Sequence, residues 1–204
     1  MVSDPVSLLD FRRRVLMLYA EIREQRDRDA AAAHAHWRAV RDQLFGHHPQ
    51  SALPADQRAN FAGLRYYDYD PSLALLAPLD TDVAQERYEI GTSDGATTAF
   101  VRVGMVTLPV GRLDVFWLDA YGGGLFLPFR DATAGDATYG GGRYLLDTAK
   151  GADLGTTPSA ELVCDFNFAY HPSCHYNAEW SCPLAPPGNT LEARVEAGEQ
   201  TYRV

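Results

Sequence analysis

The chain has 204 residues, 46% of them apolar, enough for one domain with a core of its own. Asp and Glu number 27 against 18 Lys and Arg, and the formal charge of -9 is the wrong sign for a nucleic-acid groove or an anionic membrane surface, both of which need clustered cations. No run approaches the roughly 20 apolar residues of a membrane span, and the start, Met-Val-Ser-Asp-Pro-Val-Ser with Arg12, Arg13 and Arg14 close behind, is unlike a secretory signal. A cytoplasmic protein is expected, its three cysteines held as thiols.

Asp4-Pro5 reads as an N-cap followed by a proline at the first helical position, where no N–H is needed. Val6, Leu9, Val15, Leu16, Leu18, Tyr19 and Ile22 then recur at helical spacing. Glu24 to Ala33 offers no wide apolar stripe and reads as a solvent-exposed connector. Trp37, Val40, Leu44 and Phe45 form a second amphipathic set that ends at Gly46-His47-His48-Pro49, where Gly suits a C-terminus and Pro blocks continuation. A short helix from Pro54 to Phe61 is stopped by Gly63.

From Tyr66 the chain turns aromatic, β-branched and rich in turns. Strands are expected over Glu86 to Thr92, Thr97 to Leu108, Leu113 to Ala120, Gly124 to Phe129, Gly142 to Asp147, Leu162 to Ala169 and Leu191 to Val195. Short connections favour antiparallel pairing, and Ser93-Asp94-Gly95 is a hairpin signal. Leu113 to Ala120 is apolar on both alternating faces, which points to a central strand in a barrel or a covered sheet. The expected fold is mainly β: an antiparallel closed or half-closed β-barrel over residues 51–204, with a helical extension over residues 1–50 packed outside.

The chemistry gathers between Cys164 and Pro187, which holds all three cysteines and His171 and His175. In an extended strand Cys164, Phe166, Phe168 and Tyr170 share one face, and Asp165 and Asn167 the other, about 7 Å apart. Pro172 biases His171 away from helix and so weakens the i, i+4 pairing of His171 with His175. Cys174, His175 and Cys182 are metal-ligand types, but Cys-x7-Cys matches no common zinc spacing. Cys174 reads as a reactive thiol if a neighbour lowers its pKa from about 8.5, and otherwise as a small buried hydrophobe or half of a Cys174–Cys182 disulfide. Arg130 and Arg143 flank a glycine-rich turn and suit carboxylate or phosphate; an Arg143 ion pair with Asp131 or Asp165 is the structural alternative.

Trp37-Arg38-x-x-Arg41, Phe61-Ala62-Gly63-Leu64-Arg65-Tyr66-Tyr67-x-Tyr69-Asp70-Pro71, Leu127-Pro128-Phe129-Arg130-Asp131-Ala132-Thr133, Thr138-Tyr139-Gly140-Gly141-Gly142-Arg143-Tyr144-Leu145 and Asp165-Phe166-Asn167-x-Ala169-Tyr170 resemble, in order, a bacterial and archaeal family known as domain of unknown function 1684. So does Cys174-x-Tyr176 with Ser181-Cys182-Pro183-Leu184. The resemblance runs from about Trp37 onward, implies no particular activity, and raises Arg130, Asp131, Tyr139, Arg143, Asp165, Asn167, Tyr170, Cys174, Tyr176 and Cys182 above their neighbours. Two departures stand out: His171 where the family usually has Asn, and Gly188 before Asn189 where it has Glu.

The expected function is therefore a small-molecule enzyme of unspecified reaction. Arg130 and Arg143 would anchor an anion, with Asp131, Asn167, His171 and Tyr176 completing the ligand contacts. Cys174 would be the nucleophile, and Asp165, Tyr139 and Tyr170 would handle protons. The alternatives are a non-catalytic small-molecule-binding or accessory module, and a metal-binding protein using Cys174, His175 and Cys182. The residues name no cofactor.

Overall fold

The computed structural model describes residues 4–202. Two helices open the chain as a hairpin. In α1 (Pro5–Arg26) the Asp4 carboxylate accepts from the Ser7 N–H at 2.9 Å, and in α2 (Ala30–His47) Asp29 does the same for Ala32 at 2.9 Å. The connector is only residues 27–29, shorter than the charge pattern suggested, because Asp29 starts a new helix and Ala33 is already buried. Gly46 lies inside α2 and is not its cap; a Cβ there would sit 3.0 Å from the Phe61 ring. The helix ends because His48 precedes Pro49 and is extended, at φ -76° and ψ 137°. A four-residue helix, α3 (Ala55–Arg58), follows.

The strands form two antiparallel sheets. β1 (Ala74–Pro78) pairs with β7 (Glu161–Asp165). β2 (Arg87–Gly91), β3 (Thr97–Leu108), β4 (Gly111–Leu118), β5 (Leu125–Phe129) and β6 (Arg143–Asp147) follow one another as a meander. Both faces of the larger sheet are covered. Val106, Leu113, Val115, Leu127, Phe129 and Leu145 pack against Ala77 of β1 and Leu162 and Cys164 of β7. On the opposite face lie Ile90, Phe100, Phe116, Phe126 and Tyr144. The two-sided apolar pattern of β4 thus marks the middle strand of a covered sheet.

The expected barrel is not there. Closure requires the first and last strands to pair, and among the described residues β2 and β6 do not. Chain between Tyr170 and Leu184 occupies both edges. Tyr144 of β6 exchanges two backbone hydrogen bonds with Tyr170 (2.8 and 3.1 Å), and Gly91 of β2 accepts from Leu184 N at 2.9 Å. Among the described residues the fold is a mixed α/β arrangement of two open sheets and three α-helices.

Two strand expectations also change. β7 stops at Asp165, whose carboxylate caps a 3-10 turn over Phe166–Phe168, so Phe166, Asn167 and Phe168 are all buried and the alternation of faces ends there. Leu191 to Val195 is not a strand: it runs beside Arg130–Ala132, tied by Leu191 N to Arg130 O (2.8 Å) and Ala132 N to Ala193 O (3.1 Å), while Val195 N donates to the Asp131 side chain. The helices belong to the core. Leu18, Tyr19, Ile22, Ala33 and Trp37 form one buried cluster with Val163 of β7 and Phe168. No helix among the described residues is long and apolar enough to cross a membrane.

Candidate ligand site

A cavity of about 320 Å3 opens between the helical hairpin and the Tyr170–Cys182 segment. Its walls are aromatic and aliphatic, with Phe11, Val15 and Tyr19 from α1, Phe45 from α2, and Tyr170 and Trp180 opposite. Arg12, Arg41 and Lys150 also line it, and no Asp or Glu does. Arg12 and Lys150 are exposed at its edge, whereas Arg41 is deep, its side chain 12% exposed. A wider groove of about 970 Å3 crosses the outer face of the hairpin. Two carboxylates that line it are already engaged, Asp10 by Arg14 and His48 and Glu21 by His36, so it is ordinary helix surface.

The cavity floor is held by a buried charge pair. Arg41 Nη2 donates to Glu199 Oε1 at 2.8 Å, and the other Glu199 oxygen accepts from the His171 backbone N–H at 2.6 Å. Glu199 is fully buried. The guanidinium lies over the rings of Trp37 (4.9 Å) and Tyr170 (5.1 Å). Burial alone would weaken the hold of Arg41 on its proton; the Glu199 charge more than reverses this, and its pKa stands above the ordinary arginine value.

His171 beside it is 2% exposed. Its Nε2 accepts from Tyr139 N at 3.1 Å, which assigns the proton of the neutral ring to Nδ1. Burial first, and then His175, push its pKa well below the usual value, so the ring stays neutral. The Nδ1–H finds no acceptor: Glu199 Oε2 is 3.8 Å away, beyond hydrogen-bond range. Arg41 Nε is likewise buried without a partner. Two residues that line the cavity therefore carry buried N–H groups lacking an acceptor, an arrangement costing about 1–3 kcal/mol for each group left unpaired.

Cys182 forms part of the cavity wall; Cys174 and Tyr139 do not line it. All three cysteines are free. Cys174, in a short 3-10 turn after Pro172, has its Sγ 3.8 Å from Tyr139 Oη. A hydrogen bond from Cys182, with further ones from Ser93 and Tyr139, outweighs burial and lowers the Cys174 pKa to about 6. Cys182 moves the other way because it donates to that thiolate and is buried, and burial beside Cys174 pushes Tyr139 up to about 12.

Residues 59–200 match the family described as protein of unknown function (DUF1684). The chain belongs to the DUF1684 family. A solved structure, the uncharacterized protein from gene locus rrnAC0354 of Haloarcula marismortui determined by solution NMR, is 34% identical over 87% of this chain and 97% of its own, with a TM-score of 0.58. No curated protein matches.

Of the residues singled out from sequence, this DUF1684 chain brings Tyr170, His171 and Cys182 to the cavity and leaves Cys174 and Tyr139 outside its lining. Tyr176 is buried against Phe45, near the Glu199 carboxylate. Arg143 and Asp131 lie elsewhere. Arg143 is fully buried, pairs with Asp131 at 3.2 Å, and donates to the carbonyls of Val195 (2.9 Å) and Ala197. Asp131 also accepts from Thr133 and from Val195 N (2.8 Å). This is the ion-pair alternative, and it fastens the C-terminal chain to β6. Arg130 contributes its backbone to the same fastening, with its Nε buried and unpartnered. Asp165 and Asn167 brace the loop at Asp70: Asn167 accepts from Asp70 N and donates to Asp70 O, both at 2.8 Å. Neither lines the cavity.

His175 accepts from Tyr202 N through Nε2 at 3.0 Å, and no group of three or more His, Cys, Asp and Glu among the described residues is placed to hold a metal ion. The sequence reading passed over Arg12, Arg41, Lys150, Ser93 and Glu199. Only Arg41 carried a signal: it follows Trp37 by one helical turn, on the stripe that Leu44 and Phe45 continue, where an exposed arginine is out of place.

Proposed function

We propose that this DUF1684 chain binds a small organic anion, a carboxylate or phosphate on an apolar or aromatic body, in the cavity between the helical hairpin and the Tyr170–Cys182 segment. One observation carries the reading: in a chain of charge -9 three cations line the cavity and no carboxylate does, the partners of Arg41 and Lys150, Glu199 at 2.8 Å and Asp147 at 3.7 Å, lying outside the lining. A volume of about 320 Å3 falls at the small end of the ligand range of about 300–1,000 Å3. Phe11, Tyr19, Tyr170 and Trp180 offer surface to an apolar body. Arg12 and Lys150 at the edge attract the anion, and the Arg41 guanidinium lies deep in the wall. In this reading the anion anchors are Arg12, Arg41 and Lys150, and the Arg130/Arg143 region is structural. Three free thiols fit a reducing compartment such as the cytoplasm.

Calorimetric titration with phenyl phosphate, benzoate and, as a control of opposite charge, benzylamine tests the proposal. Both anions should bind and benzylamine should not. The double substitution Arg12→Ala/Lys150→Ala, at exposed positions that leave the core intact, should weaken phenyl phosphate about tenfold, equivalent to ~1.4 kcal/mol. Equal binding of benzylamine, or affinity unchanged in the double variant, would contradict it.

A further inference from the structure

The cavity is graded from its rim inward. Its exposed lining residues are Arg12, Lys150 and Ser181, all polar, whereas the buried ones include Tyr19, Phe45, Ala52 and Ala152, which offer rings and methyls. Leu8, Phe11 and Val15 of α1 are half-buried and apolar. The two rim cations stand close together. Leu16 packs on Gly151, where a Cβ would come within 2.7 Å of its Cδ2; Arg12 lies one turn before Leu16 on the same side of α1, and Lys150 is the residue before Gly151. Lys150 Nζ is 3.7 Å from Asp147 Oδ2, beyond hydrogen-bond range, and its side chain is 52% exposed.

The polar groups of the deep wall are turned to the protein. Arg41 is paired with Glu199 at 2.8 Å, His171 Nε2 accepts from Tyr139 N at 3.1 Å, and the Tyr19 hydroxyl accepts from Trp37 Nε1 at 3.3 Å. An anion brought to Arg41 or to His171 Nδ1 would stand beside the same buried carboxylate, whose Oε2 is 3.8 Å from that nitrogen. Like charges repel strongly where water is scarce. At the rim a charged group keeps much of its water and loses little on binding.

We infer that the cavity takes its ligand tail-in and head-out: an amphiphile with an apolar chain or ring inside, a phosphate head on Arg12 and Lys150, and the outer side of that phosphate open to solvent. The inference rests on the anion reading and narrows it. Of the three cations, the rim pair holds the head, and Arg41 stays matched by Glu199. Phosphate suits two neighbouring cations better than carboxylate does, because a monoester carries close to two charges and has three oxygens to accept from both at once. A head that faces water also leaves room for a second ester arm, so the ligand class extends to phosphodiesters with one apolar arm.

Calorimetry on the wild type with propyl, butyl, pentyl and hexyl phosphate probes the depth of the cavity, and hexyl methyl phosphate probes its mouth. Affinity should rise about fourfold for each methylene that enters. The diester should bind within about fivefold of hexyl phosphate, the scale of one exposed ion pair. Arg12→Ala/Lys150→Ala should weaken every member by the same factor and leave the hexyl-to-propyl ratio unchanged. With hexyl phosphate bound, nuclear Overhauser effects from its terminal methyl should reach Phe45, Ala52 or Ala152 and not Arg12. If no member binds, the anion reading falls and this inference with it. Binding without dependence on chain length, rejection of the diester, or methyl contacts confined to Arg12 and Lys150 would overturn the head-out arrangement alone and leave the anion reading standing.

Discussion

Asp165 shows how far a single residue can be read. From sequence it is a carboxylate on the polar face of a strand; in the structure it is 1% exposed, its Oδ1 accepts from Asn167 N (3.0 Å) and Nδ2 (2.8 Å), and its Oδ2 is buried with no partner. Burial raises its pKa against the opposing pull of those hydrogen bonds. The folded state thus holds this proton more tightly than the unfolded chain. Stability is highest below the unfolded value of about 3.9 and falls as pH rises through the interval up to the folded value. Asp165→Asn keeps an acceptor for Asn167 and removes the charge. It should melt above the wild type at pH 7, with the two curves meeting below about pH 3; a variant less stable at pH 7 and no worse at pH 3 would show that the carboxylate is needed ionised. Residues of this kind escape sequence reading because their partners are remote. Arg41 and Glu199 are 158 positions apart, and neither signals the other.

At the level of elements, patterns that are local were legible. Asp4 caps the first helix, Ser93-Asp94-Gly95 turns β2 into β3, and β3 spans Thr97–Leu108 as expected, whereas Asp29, inside a stretch read as a connector, caps the second helix unannounced. β1 was missed because Ala-Leu-Leu-Ala-Pro is short, non-alternating and ends in proline. The extent of β7 was overread because Asp165 and Asn167 look like alternating strand residues while acting as a turn cap. The Tyr139–Arg143 turn was read both as a ligand loop and as the seat of an Arg143 ion pair with Asp131 or Asp165, and the pair with Asp131 is present, its arginine clamping the C-terminal chain. Arg143→Ala leaves Asp131 buried without its cation and frees the carbonyls of Val195 and Ala197. Urea denaturation should show a loss of about 3–5 kcal/mol with the denaturant slope unchanged. A loss under 1 kcal/mol would mean the pair is not what holds this segment.

At the scale of the molecule, the barrel expectation failed for an instructive reason. A central strand apolar on both faces indicates cover on both sides, and a closed barrel is one way to provide it. Here one face is covered by the small β1–β7 sheet and the other by non-strand chain: the segment from Tyr170 to Leu184 reaches from the edge of β6 to the edge of β2, with Tyr170 packed on the Phe126/Tyr144 face. Irregular chain has no period, so nothing local announces the role. The same segment, closing against α1 and α2, makes the cavity and carries Cys174 and Cys182. Sequence therefore located the segment and mistook its architecture. The most direct test is an amide chemical-shift map of the labelled protein titrated with phenyl phosphate. The account predicts saturable shifts at Arg41, Lys150, Tyr170, His171 and Cys182 with the Asp131–Arg143 region silent; shifts centred on Arg130 and Arg143, or none at any concentration, would contradict it.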